Sequence, residues 1–176
     1  MNKIVTFLFL GISLPAYSQK IIKNEIDEFT NASIIETDYN PINADFKWQT
    51  QIQGTRIDSS VFFKLAISIG ANKVFSVDQG NHFMLKLSND SVIILKPQSS
   101  AVASRGGLKH GKMSGSNAIG VNVTYHLTSD DILKLSNYTI KKIRIYTSDS
   151  YLEKDATEST NEIIGKTLRL ITKRKS

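Results

Sequence analysis

Phe83-Met-Leu-Lys-Leu-Ser-Asn-Asp-Ser-Val-Ile-Ile-Leu95 is the stretch that decides the fold. Two short apolar runs flank Asn89-Asp90, residue types that tolerate the positive φ of a tight hairpin turn. The segment therefore reads as two antiparallel strands, and the same grammar extends in both directions. Upstream, Phe46-Lys-Trp-Gln-Thr-Gln-Ile52 alternates apolar and polar residues as a half-buried strand does. Trp48 joins Phe46 on its inward face and is expected in the core. Gly54 is expected to turn the chain, after which Ile57, Ser59, Val61, Phe63, Leu65, Ile67 and Ile69 line one face of a longer strand. Glu25 to Tyr39 fits another hairpin around Asn31. Downstream, Val121, Val123, Tyr125 and Leu127 alternate with Asn122, Thr124 and His126. Ile143 and Ile145 belong to a run that turns at Ser148-Asp149 and returns through Tyr151-Leu152.

Two segments leave this period. Thr128-Ser-Asp-Asp131 offers a capping hydroxyl and first-turn acids before Ile132-Leu-Lys-Leu135, which predicts a short helix near 129–136. Ile163, Ile164, Thr167, Leu168 and Ile171 form one stripe on a cylinder, which predicts a C-terminal helix near 160–173 capped by Ser159 or Thr160. Lys173, Arg174 and Lys175 suit its carbonyl end. Strands gathered ahead of helices, without βαβ alternation, indicate an α+β fold with a mostly antiparallel sheet of about eight to ten strands. The C-terminal helix is expected to cover one face of that sheet.

The N-terminus carries a different message. Met1-Asn-Lys3 is a basic start, Ile4 to Leu14 an apolar run, and Ala16 and Ser18 are small residues at −3 and −1 of a cut before Gln19. That layout is a secretory signal peptide, too short for a membrane span. Residues 1–18 are then removed between Ser18 and Gln19, and residues 19–176 form one domain that is periplasmic or secreted. No later run of 18 apolar residues offers a transmembrane segment. The chain has no cysteine, so packing alone must hold it, without the disulfides that many exported domains use.

The formal charge of +6 is concentrated. Lys96 to Met113 holds Lys96, Arg105, Lys109 and Lys112 without an acid, and Ile163 to Ser176 holds five cations without one. The first of these lies in Pro97 to Gly120, a long aperiodic stretch rich in Ser, Gly and Ala, and loops of that length are commonly functional. Gly106-Gly-Leu-Lys-His-Gly-Lys-Met113 approaches the phosphate-binding loop pattern. Met113 stands where the metal-binding hydroxyl belongs, however, and the stretch leads into a strand rather than a helix N-terminus. No cofactor is expected. His82, His110 and His126 have no ligand-pair spacing for zinc, no Gly-x-Ser-x-Gly elbow occurs, and a thiol nucleophile is impossible. The charge lacks interleaved aromatics, which disfavours nucleic acid.

Asn24-Glu-Ile-Asp-Glu-Phe-Thr30, Phe75-Ser-Val-Asp-Gln-Gly80 with Leu85-Lys-Leu87, Lys142-Ile-Arg-Ile-Tyr-Thr-Ser-Asp149 and Lys166 to Ile171 together resemble a group of small, uncharacterised exported bacterial proteins. The resemblance implies export and the fold and supplies no function. The expected function is a non-enzymatic binding or interaction module of the cell envelope. Arg105, Lys109, His110 and Lys112 are its candidate contacts to an anionic partner, an envelope protein or polysaccharide. Two alternatives stand beside it. One is an extracytoplasmic hydrolase whose site is assembled only by the fold. The other is a structural subunit, which would expose a contiguous apolar patch.

Overall fold

The computed structural model describes residues 19–45, 48–69, 74–106 and 119–173. Among them the strands are β1 (Ile21–Ile26), β2 (Ser33–Thr37), β3 (Asn40–Ala44), β4 (Trp48–Ile57), β5 (Ser60–Ile69), β6 (Ser76–Val77), β7 (Phe83–Leu87), β8 (Val92–Leu95), β9 (Ala101–Val102), β10 (Ser104–Arg105), β11 (Ile119–Leu127), β12 (Ile140–Tyr146) and β13 (Tyr151–Asp155). The helices are α1 (Ser129–Asn137) and α2 (Glu158–Thr172). Every strand pairing is antiparallel, as the alternation predicts. The first sheet runs β1-β2-β4-β5-β11-β10, with β3 also on β4; the second runs β13-β12-β7-β8, and β6 pairs with β9. No helix of the described residues is long and apolar enough to cross a membrane.

The turns use the residues that the sequence singles out. Asn31 joins β1 to β2 at φ 57°, and Asp90 joins β7 to β8 at φ 65°. Only one residue of Asn89-Asp90 has positive φ. Asn89 instead accepts hydrogen bonds at Oδ1 from the Ser91 amide and hydroxyl at 3.2 and 2.7 Å, a local clamp of the kind short polar side chains provide.

Three expectations are corrected. Gly54 does not turn the chain; it lies buried inside β4, and the turn comes at Asp58, φ 52°, with Ile57 paired to Ser60. Ile57 and Ser59 therefore do not belong to the strand of Val61 to Ile69. The strand expected at 46–52 runs on to Ile57, and its outward side, half-buried at Gln49, is buried from Gln51 to Thr55. Gln51, Gln53 and Thr55 face away from the core yet are 4, 5 and 1% exposed. The reason is that β4 is central, with the Lys64–Glu36 ion pair (2.7 Å) reaching across it from β5 to β2. Finally, α2 is capped by Thr157, whose hydroxyl accepts from the Thr160 amide at 3.2 Å. Thr160 itself is buried, its hydroxyl donating to the Ile42 carbonyl at 3.2 Å, so it is not the cap.

A single apolar cluster joins the layers. Val61, Phe63, Leu65 and Ile67 of β5 and Val121, Val123 and Tyr125 of β11 meet Phe83, Leu85, Ile93, Leu95, Ile143 and Ile145 of the second sheet. The rings of Phe83 and Tyr125 lie 5.4 Å apart across that interface. The remaining half of the first sheet, β2 to β4, lies under α2, where Ile164, Leu168 and Ile171 are almost fully buried. Burying aliphatic side chains of this kind stabilises by about 1.5–3 kcal/mol each. The predicted stripe is thus the buried stripe. Asn161 ties α2 to the second sheet by acting as a strand neighbour: Oδ1 accepts from the Ile140 amide at 2.7 Å, and Nδ2 donates to its carbonyl at 3.0 Å.

On the short helix, Thr128 and Asp131 form a reciprocal capping box. Within the aperiodic stretch, β9 and β10 supply local order, and β10 pairs with the start of β11, so strands bracket the glycine loop on both sides.

Candidate functional site

Both faces of the first sheet carry buried side chains. The outer face of the second sheet is different, because alternation turns one full set of its side chains outward. Met84 and Lys86 of β7 sit beside Val92 and Ile94 of β8 on one flank, and beside Arg144 and Lys142 of β12 on the other. Tyr146, Arg144 and Lys142 are then paired with Tyr151, Glu153 and Asp155 of β13. Opposite charges face one another across that ladder, an arrangement that stabilises cross-strand pairs.

Glu153 is the electrostatic centre. Its Oε1 accepts from Lys142 Nζ at 2.9 Å, and its Oε2 accepts from Arg144 Nε at 2.6 Å, with Arg144 Nη2 also close. Hydrogen bonds from Lys142 and then Arg144 hold the Glu153 carboxyl below its ordinary range, and the same carboxylate raises the Lys142 ammonium. Arg144 is fixed on both sides. Its guanidinium carbon stands 4.6 Å from the Tyr151 ring centre and 5.9 Å from that of Tyr146, while Nη1 donates to the Tyr146 hydroxyl at 3.2 Å. The two tyrosine rings are 5.8 Å apart. At the other end Asp90 serves Lys141 and Lys86, at 3.3 and 3.4 Å, which lowers its carboxyl.

Among the described residues the apolar members of this face are left open: Tyr151 and Ile94 are each 51% exposed and Val92 41%. Between them Met84, Lys86, Val92, Lys142, Arg144 and Glu153 line an open depression of about 160 Å³. Pockets for drug-sized ligands enclose ~300–1,000 Å³, so this one suits a single protruding side chain. Among the described residues its lining contains no histidine or serine.

The predicted contact residues are distributed differently. Arg105 is exposed at the end of β10, away from this ladder in the pairing order. Lys109, His110 and Lys112 lie outside the described residues, as do the expected signal peptide and Phe46. His82 is half-buried in the approach to β7, and exposed His126 stands edge-on to Phe62 at 5.3 Å. Among the described residues no group of three His, Cys, Asp or Glu could hold a metal ion. Sequence reasoning passed over the Arg144 cluster because it followed the inward residues of each strand. The available signal was the outward set, Lys142, Arg144 and Tyr146 facing Tyr151, Glu153 and Asp155.

Comparison of the chain with protein-family models, curated proteins and solved structures gave no match.

Proposed function

We propose that this protein is a non-enzymatic interaction module of the bacterial cell envelope, exported on a signal peptide that is cleaved between Ser18 and Gln19, which binds a partner protein through the outer face of its second sheet. One observation carries the reading: Tyr151, Tyr146, Arg144 and Met84 share a solvent-facing surface with exposed Val92 and Ile94. Tyr, Arg and Met are enriched at the cores of protein interfaces, where rigid aromatic and guanidinium groups give contact area at low entropic cost. Arg144 is already held by Tyr146, Tyr151 and Glu153, so little of its freedom remains to be lost on binding. The cations of this face are paired with acids, so its contact with a partner rests more on apolar and aromatic area than on net charge. The basic segment with Arg105, Lys109, His110 and Lys112 adds attraction to an anionic envelope component that salt screens.

Site-specific photo-crosslinking in the native envelope tests the assignment. A crosslinker at position 94 or 151 is expected to trap the same protein, and one at exposed Glu162 on α2 to trap none. Equal adducts from all three positions, or none from 94 and 151, would refute the reading.

A further inference from the structure

The first sheet ends in an open edge. β1 pairs with β2 and with no other strand of the described residues, and its flank exposes Ile22 at 55%, Ile26 at 67% and, in the following turn, Phe29 at 95%. Exposed apolar edges are templates for pairing with another chain unless something blocks them. The usual guard, a bulge, is present between Ile21 and Lys23, but it lies at one end and leaves Asn24 to Ile26 in regular register.

The backbone parity of β1 is fixed by its hairpin. The Asp27 amide donates to the Ala32 carbonyl at 2.9 Å, and the register continues through Glu25 with Ile34 and Lys23 with Glu36. Since hydrogen-bonding direction alternates along an antiparallel strand, the amide and carbonyl groups of Asn24 and Ile26 point to the open side. A second strand can dock there only with its own outward residues opposite these.

We propose that β1 is a self-association edge, joining two copies of this chain antiparallel about a two-fold axis at Asn24. The segment Ile22-Lys-Asn-Glu-Ile26 is its own complement when reversed. With Asn24 facing Asn24 of the second copy, Lys23 faces Glu25 and Glu25 faces Lys23, while Ile22, in the bulge, lies toward the Ile26 end of the second strand. The neighbouring registers of the same parity set Lys23 against Lys23 or Glu25 against Glu25. Like charges directly opposite are destabilising, so charge selects the one register. Lys23 and Glu25 already form an exposed pair at 3.0 Å within the strand, and both are therefore placed to exchange partners across the axis. The contact is isologous, the commonest symmetry of homo-oligomers, and it makes one continuous sheet from two. It does not depend on the partner surface proposed above.

Sedimentation equilibrium of the purified protein over roughly two decades of concentration reads the association. The mass is expected to rise from that of one chain toward that of two. Lys23→Glu and Glu25→Lys each place like charges in both pairs and should each remain monomeric, weakening association at least about tenfold. Mixing those two variants should restore the dimer as a heterodimer, and the double exchange K23E/E25K should restore it within one chain. Circular dichroism is expected to show that these exposed substitutions leave the fold intact; were one single variant to misfold, the double exchange still decides. A wild-type chain that stays monomeric throughout, or a dimer indifferent to these charges, overturns the proposal.

Discussion

A Cβ built on Gly54 would stand 2.6 Å from Cγ2 of Thr167, so helix α2 rests on β4 at a point where only glycine leaves room. The same Gly54 fills a gap in the ladder. β2 covers the Thr55–Ile57 end of β4 and β3 covers Gln49 to Ile52. Between them the Gly54 amide donates to Thr37 Oγ1 at 2.9 Å, and Gln53 Nε2 donates to the Thr37 carbonyl at 2.7 Å.

Gly54→Ala should therefore destabilise by about 1–3 kcal/mol, the ordinary cost of overpacking. The β-branched Thr167 methyl is stiff in a helix. Thr167→Ser removes that methyl while keeping the hydroxyl that accepts from Gln19 Nε2. The double variant should thus lose less than the two single losses added together. Urea denaturation of the four proteins checks this; strict additivity would place the strain elsewhere.

Thr37→Val keeps the shape of a fully buried side chain but leaves the Gly54 amide without its acceptor. An unsatisfied buried donor costs about 1–3 kcal/mol, and Thr37→Ser should recover most of it. Equal loss in both variants would show that the methyl, not the hydroxyl, is what matters there.

Tyr125 is 0% exposed, and its hydroxyl has no hydrogen-bond partner among the described residues. Burial raises its ionisation above the usual tyrosine range. Removing an unpaired buried hydroxyl spares its desolvation, so Tyr125→Phe should stabilise by roughly 1 kcal/mol. The measurement is a urea midpoint at unchanged slope, and a fall in that midpoint would contradict the account.

Glu153 couples the candidate surface to pH. Its carboxyl is depressed in the folded state by Lys142 and Arg144. The sign follows by linkage: the contribution is present above the unfolded value near pH ~4.3 and is lost as pH falls through the lower folded value. The advantage in melting temperature of the native protein over Glu153→Gln should accordingly shrink between about pH 5 and pH 3. A difference independent of pH would mean that the carboxylate is not held by those cations.

Much of the architecture was legible because local pattern and tertiary demand agree. The Val121 to Leu127 alternation, the Asn31 and Asp90 turns, the Thr128 cap and the Ile164-Leu168-Ile171 stripe all did in three dimensions what their spacing implied. Gly54 misled because glycine marks a turn and a close approach equally well, and only α2, more than a hundred residues away, decides between them. Gln51, on the polar side of the expected half-buried strand, read as solvent-facing, since nothing local announces that β4 is a central strand crossed by the Lys64–Glu36 pair. The Arg144 cluster escaped for a different reason: it lies in the foreseen hairpin turning at Ser148-Asp149, but the inward Ile143 and Ile145 defined that strand, and the outward Lys142, Arg144 and Tyr146 facing Tyr151, Glu153 and Asp155 were passed over.

The surface assignment is tested most directly by the affinity of the protein for the partner captured at position 94 or 151. Ile94→Asp and Tyr151→Ala should each weaken binding at least about tenfold, as removal of an interface anchor does. Leu133→Asp, at a somewhat more exposed position on α1, should leave it unchanged. Undiminished affinity in folded Ile94→Asp and Tyr151→Ala proteins would contradict the account.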